Sequence, residues 1–455
     1  MLHRADVAGS PWEFPLHNAP RWLLAFCLLT LGLTSACGAW FAPRHDVILI
    51  SIDTLRPDHL GCYGYPRPTS PAIDAFCDDA LVFEQAIAHA PSTLPSHASI
   101  FTSSLPHHHG ASASTRTALS PDAVTLAEEL SDMGYTTVAF TGGGQLDAAF
   151  GVDQGFDEYH SVAPLDFART VELGLQKLLE RDDAPLFVFL HTYEVHHPYR
   201  PKPEDLAHFE SDYTGDLPRD IEVELLEQIN AGERAIDDAD LAHIVATYDA
   251  GIRSMDAALG QLIAGLKAAG LYDDALIVLT SDHGEEFLER SHVGWHSHTL
   301  YDELLKVPLI MKLPGRELAG TRVAELVRGI DVAPSMLGAL ERRGPNVWDG
   351  VDLLARLRTP SEHELFAISV LDGDSIEHTA IRRSEWKLIG RELFDLARDP
   401  GETRPVSDTQ RAAQMKRTLK QAINARQAHR GDAVALDDAT IEALEALGYV
   451  VPSEP

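Results

Sequence analysis

The chain of 455 residues is 45% hydrophobic and 23% charged. That is enough apolar material for one large domain and a smaller one, and it excludes disorder, a collagen-like rod and a small disulfide scaffold. Its 37 Lys+Arg against 69 Asp+Glu leave a net charge of −32, a surface that repels nucleic-acid phosphates and does not dock on anionic lipid through charge.

In chain order, the first feature is an apolar run, Trp22–Leu33, behind Arg21. Its length matches the apolar core of a signal peptide. It ends in Thr34-Ser35-Ala36-Cys37, similar to a bacterial lipobox, in which Cys37 would become the lipidated first residue. Residues 1–37 therefore read as a lipoprotein-type signal peptide or a membrane anchor. Three outcomes stay open: lipidation at Cys37, an uncleaved single span running on to Pro43, and a cleaved soluble form. Each places the body outside the cytoplasm, in the bacterial periplasm or at the cell surface. Beyond this segment only Cys62 and Cys77 remain, to pair in an oxidising compartment or to stay as free buried thiols.

From Asp46 onward short apolar runs alternate with helical patterns. Val47–Ile52, Thr137–Phe140, Leu186–Leu190, Leu276–Leu279 and Val307–Met311 are predicted buried strands. Val124–Met133 and Leu241–Ala269 are predicted helices, and Glu204–Asp240, acidic and without strand signals, is predicted to be a surface insertion. The fold class is α/β: a large, mainly parallel sheet flanked by helices over 45–345. Short strands around Ala380–Ile389 and a polar helix over Thr409–Arg430 predict a smaller α+β subdomain over 346–455.

Ligands in such sheets sit at the carboxyl ends of strands. One strand here ends in Asp53, one runs into Asp282-His283-Gly284-Glu285, and one leads to His191, with His196 and His197 close behind. Taken singly, Asp53 reads as a turn cap and Asp282 as a helix cap. Together they form an oxygen-plus-imidazole set suited to a divalent ion. The segment Pro91-Ser92-Thr93-Leu94-Pro95-Ser96-His97 predicts a helix start with a hydroxyl at its N-terminus, where free N–H groups favour a tetrahedral anion. A plain helix cap is the alternative reading.

The run DVILISIDTLRPDHLGCYGYPRPTSPAIDAF, the TLPSHAS segment, FLHTYEVHHPY, YDAGIRSMD, LTSDHGEEF, HSHTLYDELLKVPLIM, DVAPSMLGAL, SEWKLIG and ELFDLARDPGE follow in order. Together they resemble the sulfatase family of the alkaline phosphatase superfamily over nearly the whole chain after the N-terminal segment. The resemblance implies an alkaline phosphatase-like fold and a metal held by Asp53, Thr93, Asp282 and His283. It puts the charge-stabilising histidine at His196, with His197 its neighbour. The leaving-group residue falls on His296 or His298. His292 is more distant, and His107–His109 belong to a structural turn.

Two departures stand out. Thr93 replaces the Cys or Ser that is oxidised to formylglycine, and His97 replaces the signature's arginine. Thr54 follows Asp53 where a second Asp is usual, which shifts the expected ion from calcium toward zinc or manganese. Relatives with threonine at this place, such as phosphoethanolamine transferases and lipoteichoic acid synthases, move phosphoryl groups, but carry several membrane spans. The expected function is an exported, metal-dependent hydrolase of phosphate or sulfate esters acting through Thr93, with phosphoester hydrolysis or phosphoryl transfer preferred. Its substrate would be a small-molecule, glycan or lipid ester. A sulfuric ester hydrolase without formylglycine and a non-catalytic binding protein are the alternatives.

Overall fold

The computed structural model describes residues 45–181, 184–210, 213–359, 364–371 and 378–449. The apolar run and Cys37 lie outside them. Among the described residues no helix is long and apolar enough to cross a membrane.

The large sheet is built around β1 (Val47–Ile52), a strand buried along its whole length. Its even and odd residues serve two cores. Val47 and Leu49 belong to one apolar cluster and Ile48, Ile50 and Ile52 to another, so both faces of the sheet are covered. That explains the continuous apolar run where a half-exposed strand would alternate. In chain order follow β2 (Leu81–Ile87), β3 (Thr136–Thr141), β4 (Glu158–Ser161), β5 (Leu186–Thr192) and β6 (Leu276–Thr280). A short hairpin, β7 (Glu286–Phe287) and β8 (Val293–Trp295), precedes β9 (Lys306–Lys312) and β10 (Arg322–Arg328). The eight-stranded order is β10-β2-β9-β6-β1-β5-β3-β4. Only β9 runs antiparallel to its neighbours there; the other pairings are parallel. All five predicted strands are present.

The predicted helices form close to their expected bounds, at Leu126–Asp132 and Asp238–Ala268. Each starts in a capping box, Thr125 with Glu128 and Asp237 with Asp240, which satisfies N–H groups a helix start leaves free. A second sheet of four antiparallel strands follows: β11 (Ala367–Val370), β12 (Thr379–Arg382), β13 (Trp386–Ile389) and β14 (Glu392–Asp395). The helix Thr409–Ile423 packs Met415 and Leu419 against it. Buried Lys387 on β13 lies 2.8 Å from both Asp302 and Glu402, tying the small sheet to the approach to β9.

Two segments differ from expectation. The insertion is not wholly superficial. Ile221 and Leu226 are fully buried in one main core, and Asn230 donates to the Val293 carbonyl on β8. Its apolar residues are too sparse to show a period, yet they anchor it. The end of the chain also leaves the small sheet. His429 N–H donates to the His108 carbonyl, Ala433 bridges Thr117, and the helix Asp438–Ala446 packs near Gly144–Leu146 beside the main sheet. Cys62 and Cys77 are joined in a disulfide.

Candidate active site

Asp53 follows directly on β1, and Asp282 and His283 follow β6, its parallel neighbour. Both strand ends therefore open on the same edge of the sheet, as expected for such folds. The helix Thr93–Thr102 brings its first residue to the same edge. Ser96 Oγ donates to the Asp282 carbonyl (2.7 Å), and the Leu94 N–H and Ser92 hydroxyl donate to Gln145 Oε1 (2.9 and 3.3 Å). These bonds fix the start of the helix against the strand ends.

Asp53, Thr93, Asp282 and His283 are all fully buried. Thr93 Oγ1 donates to Asp53 Oδ2 at 3.2 Å. Asp282 Oδ1 accepts from the N–H groups of Thr54 (3.3 Å) and His283 (2.9 Å). His283 Nδ1 donates to the Gly284 carbonyl at 3.0 Å, which leaves the lone pair on Nε2. The remaining atoms, Asp53 Oδ1, Asp282 Oδ2 and His283 Nε2, have no hydrogen-bond partner. Ligand atoms of the three residues lie within 4.8 Å of one another. Three orphaned, buried, convergent donors are what a cation needs and what a folded core otherwise avoids. Two carboxylate oxygens, an imidazole and the adjacent hydroxyl fit a divalent ion.

Electrostatics point the same way. Burial, and then the Asp282 carboxylate, push Asp53 well above the ordinary carboxylate range. Burial raises Asp282 as well, but His283, His97 and His191 outweigh it and hold that group low. A dication is the charge that allows both to ionise together.

Two further histidines flank these residues. His191 Nδ1 accepts from the Gly142 N–H (3.4 Å), and its Nε2, 3.4 Å from Asp53 Oδ2, has no hydrogen-bond partner. His97 has both ring nitrogens engaged, on the Thr93 carbonyl and on Ser51 Oγ, each at 2.9 Å. Where the signature carries an arginine, this chain has a buried group that holds the backbone of Thr93. Thr54 sits at φ 56°, a region that costs a β-branched residue about 1–3 kcal/mol. Its N–H bond to Asp282 and the bond from Tyr248 OH to its carbonyl (2.7 Å) hold it there.

His196, His197 and His296 form a second, equally buried cluster. His196 Nδ1 bonds the His197 carbonyl, and the His196 and His296 ring centroids are 4.8 Å apart. Glu285 holds His296 Nδ1 at 3.0 Å and accepts from Tyr199 OH at 3.0 Å. His197 lies 3.5 Å from the same carboxylate and stacks on Trp295 at 5.1 Å. Burial pushes His296 down to about 4.

His298, the other candidate, is turned elsewhere. Its Nε2 is 2.7 Å from Glu286 Oε2 and its Nδ1 3.1 Å from the His296 carbonyl. Glu286 also accepts the N–H groups of Arg290, Ser291 and His292, so this group shapes the turn between β7 and β8. His292 belongs to the same turn, its ring 4.2 Å from that of His298. His108 and His109 are structural as expected, bonded to Asp349 and Ser99.

Sequence reasoning missed Gln145 and, closer to the nucleophile, Tyr449. Tyr449 hydroxyl lies 3.0 Å from Thr93 Oγ1 and 3.2 Å from His196 Nε2. Nothing near position 449 announces a role. Its partners lie 356 and 253 residues away in sequence.

A mostly parallel sheet with an acid, a hydroxyl and an Asp-His pair at one edge is an alkaline phosphatase-like arrangement. The sulfatase profile matches residues 45–341, and the profile of the N-sulphoglucosamine sulphohydrolase C-terminal region matches residues 291–429. The chain belongs to the sulfatase family. It is 24% identical over 350 residues to the ulvan-active sulfatase of Formosa agariphila, covering 70% of this chain and 66% of that protein. It is 25% identical over 447 residues to arylsulfatase A of Bos taurus, covering 84% and 87%. To the multifunctional alkaline phosphatase superfamily protein PehA of Trinickia caryophylli it is 28% identical over 207 residues, covering 40% and 39%. The chain thus spans from about a third to about two thirds of the length of the first curated relatives it matches. The phosphonate monoester hydrolase of Agrobacterium radiobacter shares the fold at a TM-score of 0.66 and 20% identity, over 84% of this chain and 96% of that one.

Proposed function

We propose that the protein is an exported, metal-dependent ester hydrolase in which Thr93 accepts the transferred group, with phosphoesters preferred over sulfate esters. The observation that carries this reading is the position of Thr93 Oγ1. It is buried at a helix start and hydrogen-bonded to Oδ2 of Asp53, whose other oxygen is orphaned together with Asp282 Oδ2 and His283 Nε2.

Those three residues and Thr93 would hold the divalent ion, zinc or manganese before calcium because one ligand is an imidazole. Such an ion supplies Lewis acidity that favours the Thr93 alkoxide. The protein does the rest. His97 fixes the Thr93 carbonyl, and Gln145 ties the first turn, so Oγ1 is pre-aimed. Oγ1 bonds to the phosphorus or sulfur of the ester as the bond to the leaving oxygen breaks, leaving an ester on Thr93. His196, with His296 steadied by Glu285, takes up the proton that Oγ1 gives up and passes it to the leaving alcohol. Water, or a second alcohol, then releases the group.

Phosphate is preferred because a threonine cannot become the formylglycine hydrate through which family members expel bound sulfate. PehA, with its multifunctional name, is compatible with this choice. The ulvan-active sulfatase and arylsulfatase A favour a second reading, sulfate-ester hydrolysis without formylglycine. Matched aryl phosphate, phosphodiester and sulfate substrates, assayed with zinc, manganese or calcium, separate the two. The phosphate ester should turn over faster, and faster sulfate cleavage would transfer the assignment to the second reading.

Export is supported by the Cys62–Cys77 pairing, which persists in oxidising compartments. Lipidation at Cys37, which supplies more than one acyl chain, would give stable anchoring. The Cys37→Ser variant should then accumulate as a heavier precursor. A wild-type protein that carries no lipid and begins elsewhere would rule out the lipobox.

A further inference from the structure

His97, which stands where the signature has arginine, is engaged on the Thr93 carbonyl and on Ser51 Oγ and not at the Thr93 hydroxyl. A hydroxyl 356 residues further along the chain reaches Thr93 Oγ1 instead. We infer that Tyr449 is a further catalytic residue, whose phenol donates a hydrogen bond to a non-bridging oxygen of the group being transferred to Thr93.

The fold builds this position. The helix Asp438–Ala446 ends in a reversal at Gly448, whose φ of +79° suits glycine. Tyr449 N–H donates to the Leu444 carbonyl (2.9 Å) and Gly448 N–H to the Glu445 carbonyl (2.9 Å), the pair of bonds that closes a Schellman cap. Leu444 and Leu447 are buried, and Leu447 packs tightly against Gly144. Gly144 belongs to the same turn as Gln145, which holds the start of the Thr93 helix. A β-carbon at Gly448 would come within 3.0 Å of His197 Nε2, so the chain passes against the histidine cluster as well. The cap is therefore referenced to the nucleophile helix on one side and to the histidines on the other.

The distances choose the role. The reacting phosphorus must approach to about 3–3.5 Å from Oγ1, with the leaving oxygen on its far side. A hydroxyl 3.0 Å from Oγ1 and 3.2 Å from His196 Nε2 is within hydrogen-bond reach of the oxygens carried by a phosphorus that approaches Oγ1, where charge gathers. The proton stays on the phenol throughout.

This inference rests on Thr93 as the acceptor. In the full-length, metal-loaded enzyme, Tyr449→Phe should lower kcat by about ten- to a hundredfold with KM nearly unchanged. The factor should be the same for phenyl and 4-nitrophenyl phosphate, and the Thr93 ester should build up correspondingly slowly by intact mass. Leu447→Ala, which loosens the cap without touching the ring, should lose activity in the same sense while folding normally. An unchanged or higher kcat in Tyr449→Phe would overturn the inference, since the phenol would then be idle or in the way. So would a loss that grows sharply with the poorer leaving group, which would put the phenol on the leaving oxygen. Undiminished activity in Thr93→Ala would instead locate the failure in the underlying assignment.

Discussion

Thr93→Ala should reduce turnover by about a thousandfold or more while leaving the fold intact. The side chain is fully buried, but it packs as the first residue of a helix whose start is held by Gln145 and Ser96, not by the threonine itself. Removing the hydroxyl takes away its bond to Asp53, a modest structural loss of about 1 kcal/mol. It also removes the only atom of residue 93 able to form the ester. Intact-mass measurements during turnover should show a phosphoryl adduct on the wild type that maps to Thr93 and is absent from the variant. Thr93→Ser, which keeps the hydroxyl, should retain much of the phosphate turnover. Activity in Thr93→Ala equal to the wild type would remove Thr93 from the mechanism and leave the carboxylates and histidines acting on a water molecule.

How much of this was legible in the sequence depends on whether the determining contact is local. β1, β5 and β6 were visible because strands covered on both faces are written as unbroken apolar runs. β2 escaped because Glu84 and Gln85 interrupt it where it is only partly covered. β10 is an edge strand with exposed positions, and β4 is short and largely polar, so neither shows a clean period. Asp53, Asp282 and His283 stood out as a set because each follows a strand end, whereas singly Asp53, Asp282 and Thr93 read as caps and the resemblance to the sulfatase family is what joined Thr93 to the others.

The different placements of His296 and His298 were not legible. They follow adjacent glutamates, of which Glu285 holds His296 beside His196 and His197 and Glu286 holds His298 in the turn. Two neighbouring residues of one type look alike in a sequence, and only their opposite directions from the backbone separate them. The inward turn of His97 and the arrival of Tyr449 are likewise settled by tertiary packing. Thr54 is a related case. Its unfavourable φ buys an N–H aimed at Asp282, and no propensity argument places a β-branched residue there.

Asp282→Asn should empty the metal site without unfolding the protein, the second large effect. The two oxygens of Asp282 have separate tasks. Oδ1 is held by the N–H groups of Thr54 and His283, whereas Oδ2 is buried without a partner and faces Asp53 and His283. An asparagine can keep the first set with its carbonyl oxygen, so the loop retains its shape. Its NH₂ then replaces the anionic ligand atom and presents hydrogens where a cation must sit. Metal content after dialysis should fall to background, and the stabilisation that added zinc or manganese gives the wild type should disappear. For an ion at about a hundred times its Kd that stabilisation is about 2.7 kcal/mol. His196→Ala is the counterpart, because that ring bonds Tyr449 and the His197 carbonyl and no atom of the Asp53–Asp282–His283 cluster. It should keep the metal and lose about a hundredfold or more in turnover. Metal lost equally from both variants would mean that His196 and its neighbours hold an ion of their own, and the division between metal-holding and substrate-facing residues would have to be redrawn.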